Sequence, residues 1–253
     1  MRKIIAASIV VAIAMVICVF SAFADIDTLR ANFLMGDFHQ TIIDGKVVLA
    51  QELSSAIACE ANFYMGVSYM KQEWYDEARQ HLSKAAGDFS GCVFASRALL
   101  SLGDTYLLEG QLEQALEIYK DAYAQYKDSD SASLIVFRLA QTNLKLGHWQ
   151  EADKFFKVHK EQFPNSPMIK RAGELAAQEH IFTVQVGAFI HKNSAKGLVK
   201  KLKESGMDAY IMKVKAKSGL LYRVRVGKVQ TRQEAKSLEF RLSELGYPTL
   251  IHP

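Results

Sequence analysis

In the segments Phe182-Thr183-Val184-Gln185-Val186 and Leu221-Tyr222-Arg223-Val224-Arg225-Val226, polar and apolar side chains alternate one for one. A strand sends successive side chains to opposite faces. Thr183, Gln185, Leu221, Arg223 and Arg225 therefore share one face, and Val184, Val186, Tyr222, Val224 and Val226 share the other. Tyr210 and Met212 are expected to join the first set from a neighbouring strand. The Gln185 amide donates and accepts at once, and each guanidinium offers a planar fork of donors. Beside flat apolar groups they form a binding platform, since a merely soluble face seldom combines Leu and Met with Arg.

Residues suited to bond-making are not grouped in the same way. The seven histidines (39, 81, 148, 159, 180, 191 and 252) are scattered, and neither an H-E-x-x-H nor a G-x-S-x-G pattern occurs. There is no C-x-x-C, so neither a zinc site nor a redox dithiol is suggested. The chain is expected to be non-enzymatic, with no cofactor and no metal.

The strands that carry the platform belong to a stretch that repeats itself at an offset of forty residues. Val184-Gln185-Val186-Gly187 returns as Val224-Arg225-Val226-Gly227, Ala195 as Ala235, Leu198 as Leu238, Leu202 as Leu242, Gly206 as Gly246 and Ile211 as Ile251. Leu198 with Leu202 and Leu238 with Leu242 form one apolar stripe each on helices expected near Ser194–Ser205 and Arg232–Leu245. Gly206 and Gly246 end those helices. The order is β-α-β-β-α-β, a four-stranded antiparallel sheet with two helices on one face and the platform bare on the other.

Upstream the period changes to thirty-seven. Ala78, Ala115 and Ala152 are so spaced, with Thr41 one step earlier; Phe38, Tyr75, Leu112 and Trp149 follow the same rule, as do Gly36, Gly110 and Gly147, with Glu73 as the exception. Within a period, Leu99, Leu102, Gly103 and Tyr106 mark one face of a first helix, and Ala115, Tyr119 and Ala122 one face of a second. Gly110 stops the first helix. The small residues at Gly103 and Ala115 permit close approach, and hairpins of this kind must stack to bury their apolar faces. Gly45 stands where a large side chain is expected. Ser166-Pro167 is expected to start one further helix, with Ser as cap and Pro in the first turn, running to about Gln178.

Arg2-Lys3, an apolar run from Ile4 to Phe20, and Ser21-Ala22-Phe23-Ala24 reproduce the three regions of a secretory signal, with cleavage expected after Ala24. The competing reading of the long apolar run is an uncleaved inner-membrane anchor. Export makes a disulfide permissible. Of the three cysteines only Cys59 and Cys92 survive cleavage, which leaves either a single bridge or two buried small apolar residues. Charge divides the mature chain: residues 25–177 hold fifteen Lys/Arg against twenty-one Asp/Glu, a net of −6, whereas residues 178–253 hold fourteen against six, a net of +8. Such a reversal marks two modules with different partners.

Leu102-Gly103, Tyr106, Gly110, Ala115, Tyr119 and Ala122, followed by Gly147, Trp149, Ala152, Phe156 and Pro164, resemble the tetratricopeptide repeat family. Three clear repeats and a degenerate N-terminal unit are read. The resemblance implies a groove that holds a protein partner. Phe182-Thr183-Val184-Gln185-Val186-Gly187-Ala188-Phe189 and Tyr222-Arg223-Val224-Arg225-Val226-Gly227 resemble the SPOR domain of bacterial envelope proteins. That resemblance implies binding to peptidoglycan, specifically to glycan strands stripped of stem peptides, through the exposed sheet face and the Gln that matches Gln185. Two departures stand out: Ala188 where family members often carry Ser, and Leu221 where many carry an aromatic residue.

The expected organisation is thus a signal peptide (1–24), a repeat array (25–165), a capping helix (166–180) and a SPOR domain (181–253). Thr183, Gln185, Ala188, Tyr210, Met212, Leu221, Arg223 and Arg225 are the expected glycan-binding set. The location expected is the periplasm or cell envelope, with a membrane as partner only if the signal segment is retained. Amino-sugar polymers present hydroxyls, N-acetyl carbonyls and apolar ring faces, and their freed lactyl carboxylates are anionic, which suits a basic module. Two other readings are an accessory subunit of a wall hydrolase or envelope secretion complex, in which the small domain binds protein, and an RNA-recognition module. The latter stacks bases on aromatics in its central strands, where this chain offers Leu221, Arg223 and Arg225, and no nucleic-acid partner is expected.

Overall fold

The thirty-seven-residue step fixes where helices stop. After the first helix of each hairpin one residue takes left-handed backbone dihedrals, at Gly36, Glu73, Gly110 and Gly147 with φ of 81°, 63°, 77° and 83°. The next residue donates its N–H to the carbonyl five positions back: Asp37 to Asn32, Trp74 to Tyr69, Gln111 to Tyr106 and His148 to Asn143, at 2.9–3.0 Å. This is the helix-terminating turn that glycine adopts most readily. Glu73 is held in it by the same bond and is the one non-glycine residue with positive φ among the described residues.

The computed structural model describes residues 25–51, 54–88, 91–216 and 219–253. The expected signal sequence and its cleavage point lie outside them. The helices are α1 (Ile26–Met35), α2 (Phe38–Leu49), α3 (Ser55–Lys71), α4 (Tyr75–Gly87), α5 (Ala95–Leu108), α6 (Leu112–Tyr126), α7 (Ala132–Leu146), α8 (Trp149–Gln162) and α9 (Ile169–Ala176). They are followed by β1 (Phe182–Phe189), α10 (Lys192–Glu204), β2 (Ala209–Ala216), β3 (Gly219–Val229), α11 (Arg232–Glu244) and β4 (Leu250–His252). The chain divides into two compact units, one ending at Ile135 and one comprising Val136–Pro253.

In the first unit the hairpins α1–α2, α3–α4 and α5–α6 bury a core that includes Leu29, Ile42, Val48, Met65, Tyr69, Leu82 and Leu102. Close approach is built in at glycines. A Cβ at Gly103 would collide with the ring of Tyr119, one at Gly45 with the side chain of Met65, and one at Gly66 would lie 2.6 Å from Leu82 Cγ. Gly45 thus leaves the space that Met65 fills. Cys59 and Cys92 are joined by a disulfide, with Cα atoms 6.3 Å apart.

In the second unit the sheet is antiparallel with strand order β2-β3-β1-β4. Val184, Val186, Val224 and Val226 pack under Ala195 and Leu202 of α10 and Leu242 of α11, as their alternation requires. Gly206 and Gly246 close the two helices with matching turns, Met207 donating to the Leu202 carbonyl and Tyr247 to that of Leu242. Thr231 and Glu234 form a reciprocal capping box at the start of α11.

Two features depart from expectation. Ser166 and Pro167 precede α9 without belonging to it: the Ser166 Oγ accepts from Met168 N at 3.2 Å and its carbonyl from Ile169 N at 3.0 Å, so the serine caps a tight turn and the helix begins at Ile169. The second concerns the sheet face opposite α10 and α11, which is not bare. Residues of α7 and α9 stand over part of it, and Phe182 and Thr183 are buried. The β1–β3 ladder slips between Phe182 and Val184, and Phe182 is absent from the core that Val184 shares with α10 and α11. Its ring packs against Trp149, centroids 5.0 Å apart, and over Gly147. Trp149 stacks in turn on His180 at 5.2 Å, and Arg232 donates to the Lys145 carbonyl at 2.6 Å. The last hairpin and the sheet therefore share buried contacts within one unit.

Candidate functional site

The register of the sheet places the expected residues in rows across the strands. Tyr210 pairs with Arg225 and Arg225 with Gln185, which pairs with Leu250. One pleat further on, Met212 pairs with Arg223 and Arg223 with Ala188, and beyond these Val214 pairs with Leu221. In the other direction Thr183 pairs with His252. The slip between Gln185 and Gly187 brings Ala188 to this face rather than to the core, an effect typical of a β-bulge. All eight residues expected from alternation or resemblance thus stand on one side of the sheet.

They do not stand equally open. Ala188 and Met212 are exposed, Gln185, Tyr210, Leu221, Arg223 and Arg225 are half-buried, and Thr183 is only 2% exposed. The Thr183 hydroxyl accepts from the Arg225 guanidinium at 3.3 Å, so it orients that side chain and is itself covered. Gln185 Oε1, Arg225 Nε and His252 Nε2 are enclosed without a hydrogen-bond partner among the described residues. Enclosed polar atoms without partners are costly and uncommon.

Thr183, Tyr210, Met212, Arg223 and Arg225 form one wall of a cleft of about 740 Å³. The opposite wall comes from Gln141, Leu144 and Lys145 of α7 and from Arg171 and Leu175 of α9. Lys228 and Glu179 close one end as an ion pair at 3.5 Å, with the Lys228 ammonium 5.8 Å from the centre of the Tyr210 ring. Burial pushes the Arg225 guanidinium below its ordinary range, and the Arg223 charge adds to this while Tyr210 opposes it. Burial, then the charge of Arg232, likewise lowers Lys145. His252 is pushed down to about 4 by burial and by Arg225, Arg223 and Lys145, and is neutral at pH 7. The cleft is a concentration of positive charge with apolar margins.

Alternation could not reveal Lys145, Arg171, Lys228 or His252. His252 lies on a three-residue strand too short for a pattern, and Lys145 and Arg171 come from helices thirty-six and ten residues before Ile181. The abrupt passage from the last helix into the first strand was the one available signal that the two are joined. Among the described residues no group of His, Cys, Asp and Glu could hold a metal ion, and no helix is long and apolar enough to cross a membrane.

Family models match both parts of this architecture. The SPOR domain profile matches residues 180–249, and tetratricopeptide repeat profiles match residues 58–128 and 106–175. No curated protein matches the chain. Similar solved structures include MamA (AMB-1), at 19% identity over 58% of this chain and 75% of that one with a TM-score of 0.44. YrrB, described as a TPR protein with an unusual peptide-binding site, is 20% identical over 64% and 79%, with a TM-score of 0.46. A Podospora anserina putative kinesin light chain with nearly identical TPR-like repeats is 14% identical over 71% and 91%, with a TM-score of 0.48.

Proposed function

We propose that this chain, a tetratricopeptide-repeat protein with a carboxy-terminal SPOR domain, holds peptide-free glycan strands of peptidoglycan on its sheet face while its helical repeats hold a protein partner. Both modules bind or scaffold and neither is catalytic. The observation that carries the reading is the row Tyr210–Arg225–Gln185, in which an amide oxygen and a guanidinium nitrogen lack a partner among the described residues. A sugar carrying hydroxyls and N-acetyl groups supplies both a donor for Gln185 Oε1 and acceptors for the guanidinium, and its ring face can lie on Tyr210. Binding of such a ligand places the protein in the periplasm, at wall from which amidases have removed the stem peptides.

The test is co-sedimentation of the protein with purified sacculi before and after amidase digestion. Digestion is expected to raise the bound fraction severalfold, and binding is expected to weaken with added salt because Arg223 and Arg225 are only partly screened from solvent. Equal binding to digested and undigested sacculi would refute the preference for denuded strands.

A further inference from the structure

The cationic cleft has an ownership that the sheet alone does not explain. Arg223 and Arg225 come from β3, but Lys145 comes from the last turn of α7, in the repeat region. All three are half-buried, and none has a carboxylate partner among the described residues. All three line the cleft together with His252, which is pushed down to about 4 first by burial and then by their charges. By contrast Arg171, Lys228 and Arg30 have acidic neighbours within 3.5 Å. Like charges held together out of water destabilise the folded chain unless an anion joins them. The orphaned Arg225 Nε is a second and independent sign of a missing acceptor.

We infer that α7 and the sheet together form a carboxylate site, in which Lys145 of the repeat region and Arg223 and Arg225 of the SPOR domain bind the free lactyl carboxylate of a denuded glycan. This rests on the glycan reading above and adds a binding residue from outside the sheet domain. A muramic acid residue has this carboxylate only after its stem peptide is removed; while the peptide is attached, the group is an uncharged amide. The cleft thereby supplies a chemical reason for preferring stripped strands. The Lys145 side chain is free for this role because its anchoring contact with Arg232 is made by the backbone carbonyl.

The experiment measures binding of the full chain to soluble glycan strands released by amidase, and to the same strands with their carboxylates converted to methylamides. Lys145→Gln is expected to weaken binding to untreated strands about tenfold, the loss of one charge-assisted hydrogen bond. Lys145→Arg should retain most of the affinity, and the Gln variant should lose nothing further on methylamidated strands. Arg223→Gln reports the sheet-face reading separately. Loss of binding in Arg223→Gln with none in Lys145→Gln overturns the composite site and leaves the glycan reading standing; no loss in either overturns both. Thermal unfolding of each variant checks folding, and Arg171→Gln, exposed on the same wall but already paired with Glu174, is expected to leave binding unchanged; a loss as large as that of Lys145→Gln would point to diffuse attraction and overturn the composite site. Equal binding of the unsubstituted chain to untreated and methylamidated strands also overturns the composite site, whether or not Lys145→Gln folds.

Discussion

Replacing Phe182 with Ala tests whether the last hairpin and the sheet are held by one buried side chain. Phe182 has no exposed surface. Its ring lies between Trp149 and the backbone of Gly147, where an added Cβ would be 2.8 Å from Phe182 Cε2. Removing a buried phenylalanine costs about 3–5 kcal/mol, more when the surroundings cannot close over the gap. Here they cannot move easily, because Gly147 is fixed by the left-handed turn that His148 closes on Asn143, and Trp149 is stacked on His180. A loss of about 4 kcal/mol is therefore expected. With a urea dependence of about 2 kcal/mol per molar, the unfolding midpoint should fall by about 2 M. The chain has two tryptophans, so a Trp74→Phe background leaves Trp149, beside the substitution, as the sole indole emitter. Phe182→Leu fills most of the space and should cost far less. A midpoint shift below about 0.5 M for Phe182→Ala would show that the packing around this ring contributes little to stability.

Other substitutions probe separate parts of the chain. Glu73→Gly relieves an exposed left-handed residue and should stabilise by up to about 1 kcal/mol; a lower melting temperature would contradict that reading of the turn. Reducing the Cys59–Cys92 bridge, which spans 33 residues of sequence, should destabilise the first unit by roughly 3–4 kcal/mol in the chain-entropy description, seen as a fall in melting temperature under dithiothreitol. His81, with its pKa depressed to about 4 chiefly by burial and then by Lys84 and Lys46, protonates in the unfolded chain first. Its contribution is therefore complete above about pH 6.5 and is lost between there and about pH 4. His81→Phe should flatten the fall in urea midpoint between pH 6.5 and 5, and an unaltered slope would exclude this histidine. His252 is held near 4 by burial and then by Arg225, Arg223 and Lys145, so a bound anion should raise its NMR titration midpoint, whereas a neutral ligand should not.

The core was legible because two strict periods say where each side chain must face. Val184, Val186, Val224 and Val226 went under the helices as their alternation demands, and the thirty-seven-residue step placed every hairpin turn, including the one that lacks glycine. Local rules failed where a longer-range contact competed with them. The start signal at Ser166-Pro167 was spent on a turn, and Phe182 left the parity of its strand for Trp149. Ala188, singled out for a missing hydroxyl, reaches the open face only through a slip in the ladder that no residue pattern announces. Lys145 was illegible for a simpler reason. A lysine in the last turn of a helix is ordinary, and its value comes from a strand nearly eighty residues away.

Gly147 and Gly110 occupy the same place in successive repeats, and both have φ near 80°. An added Cβ at Gly110 would meet nothing, whereas at Gly147 it would strike Phe182. At the equivalent of Gly110 a change to another residue carries only the backbone penalty, and Glu73 shows that the fold tolerates this. At Gly147 the backbone and the neighbouring domain object together. Equivalent hairpins are therefore not interchangeable parts: those before α7 can drift, duplicate or be lost under one constraint, while the last is tied to the sheet and must change with it. Over generations the array would be expected to vary from its amino-terminal end.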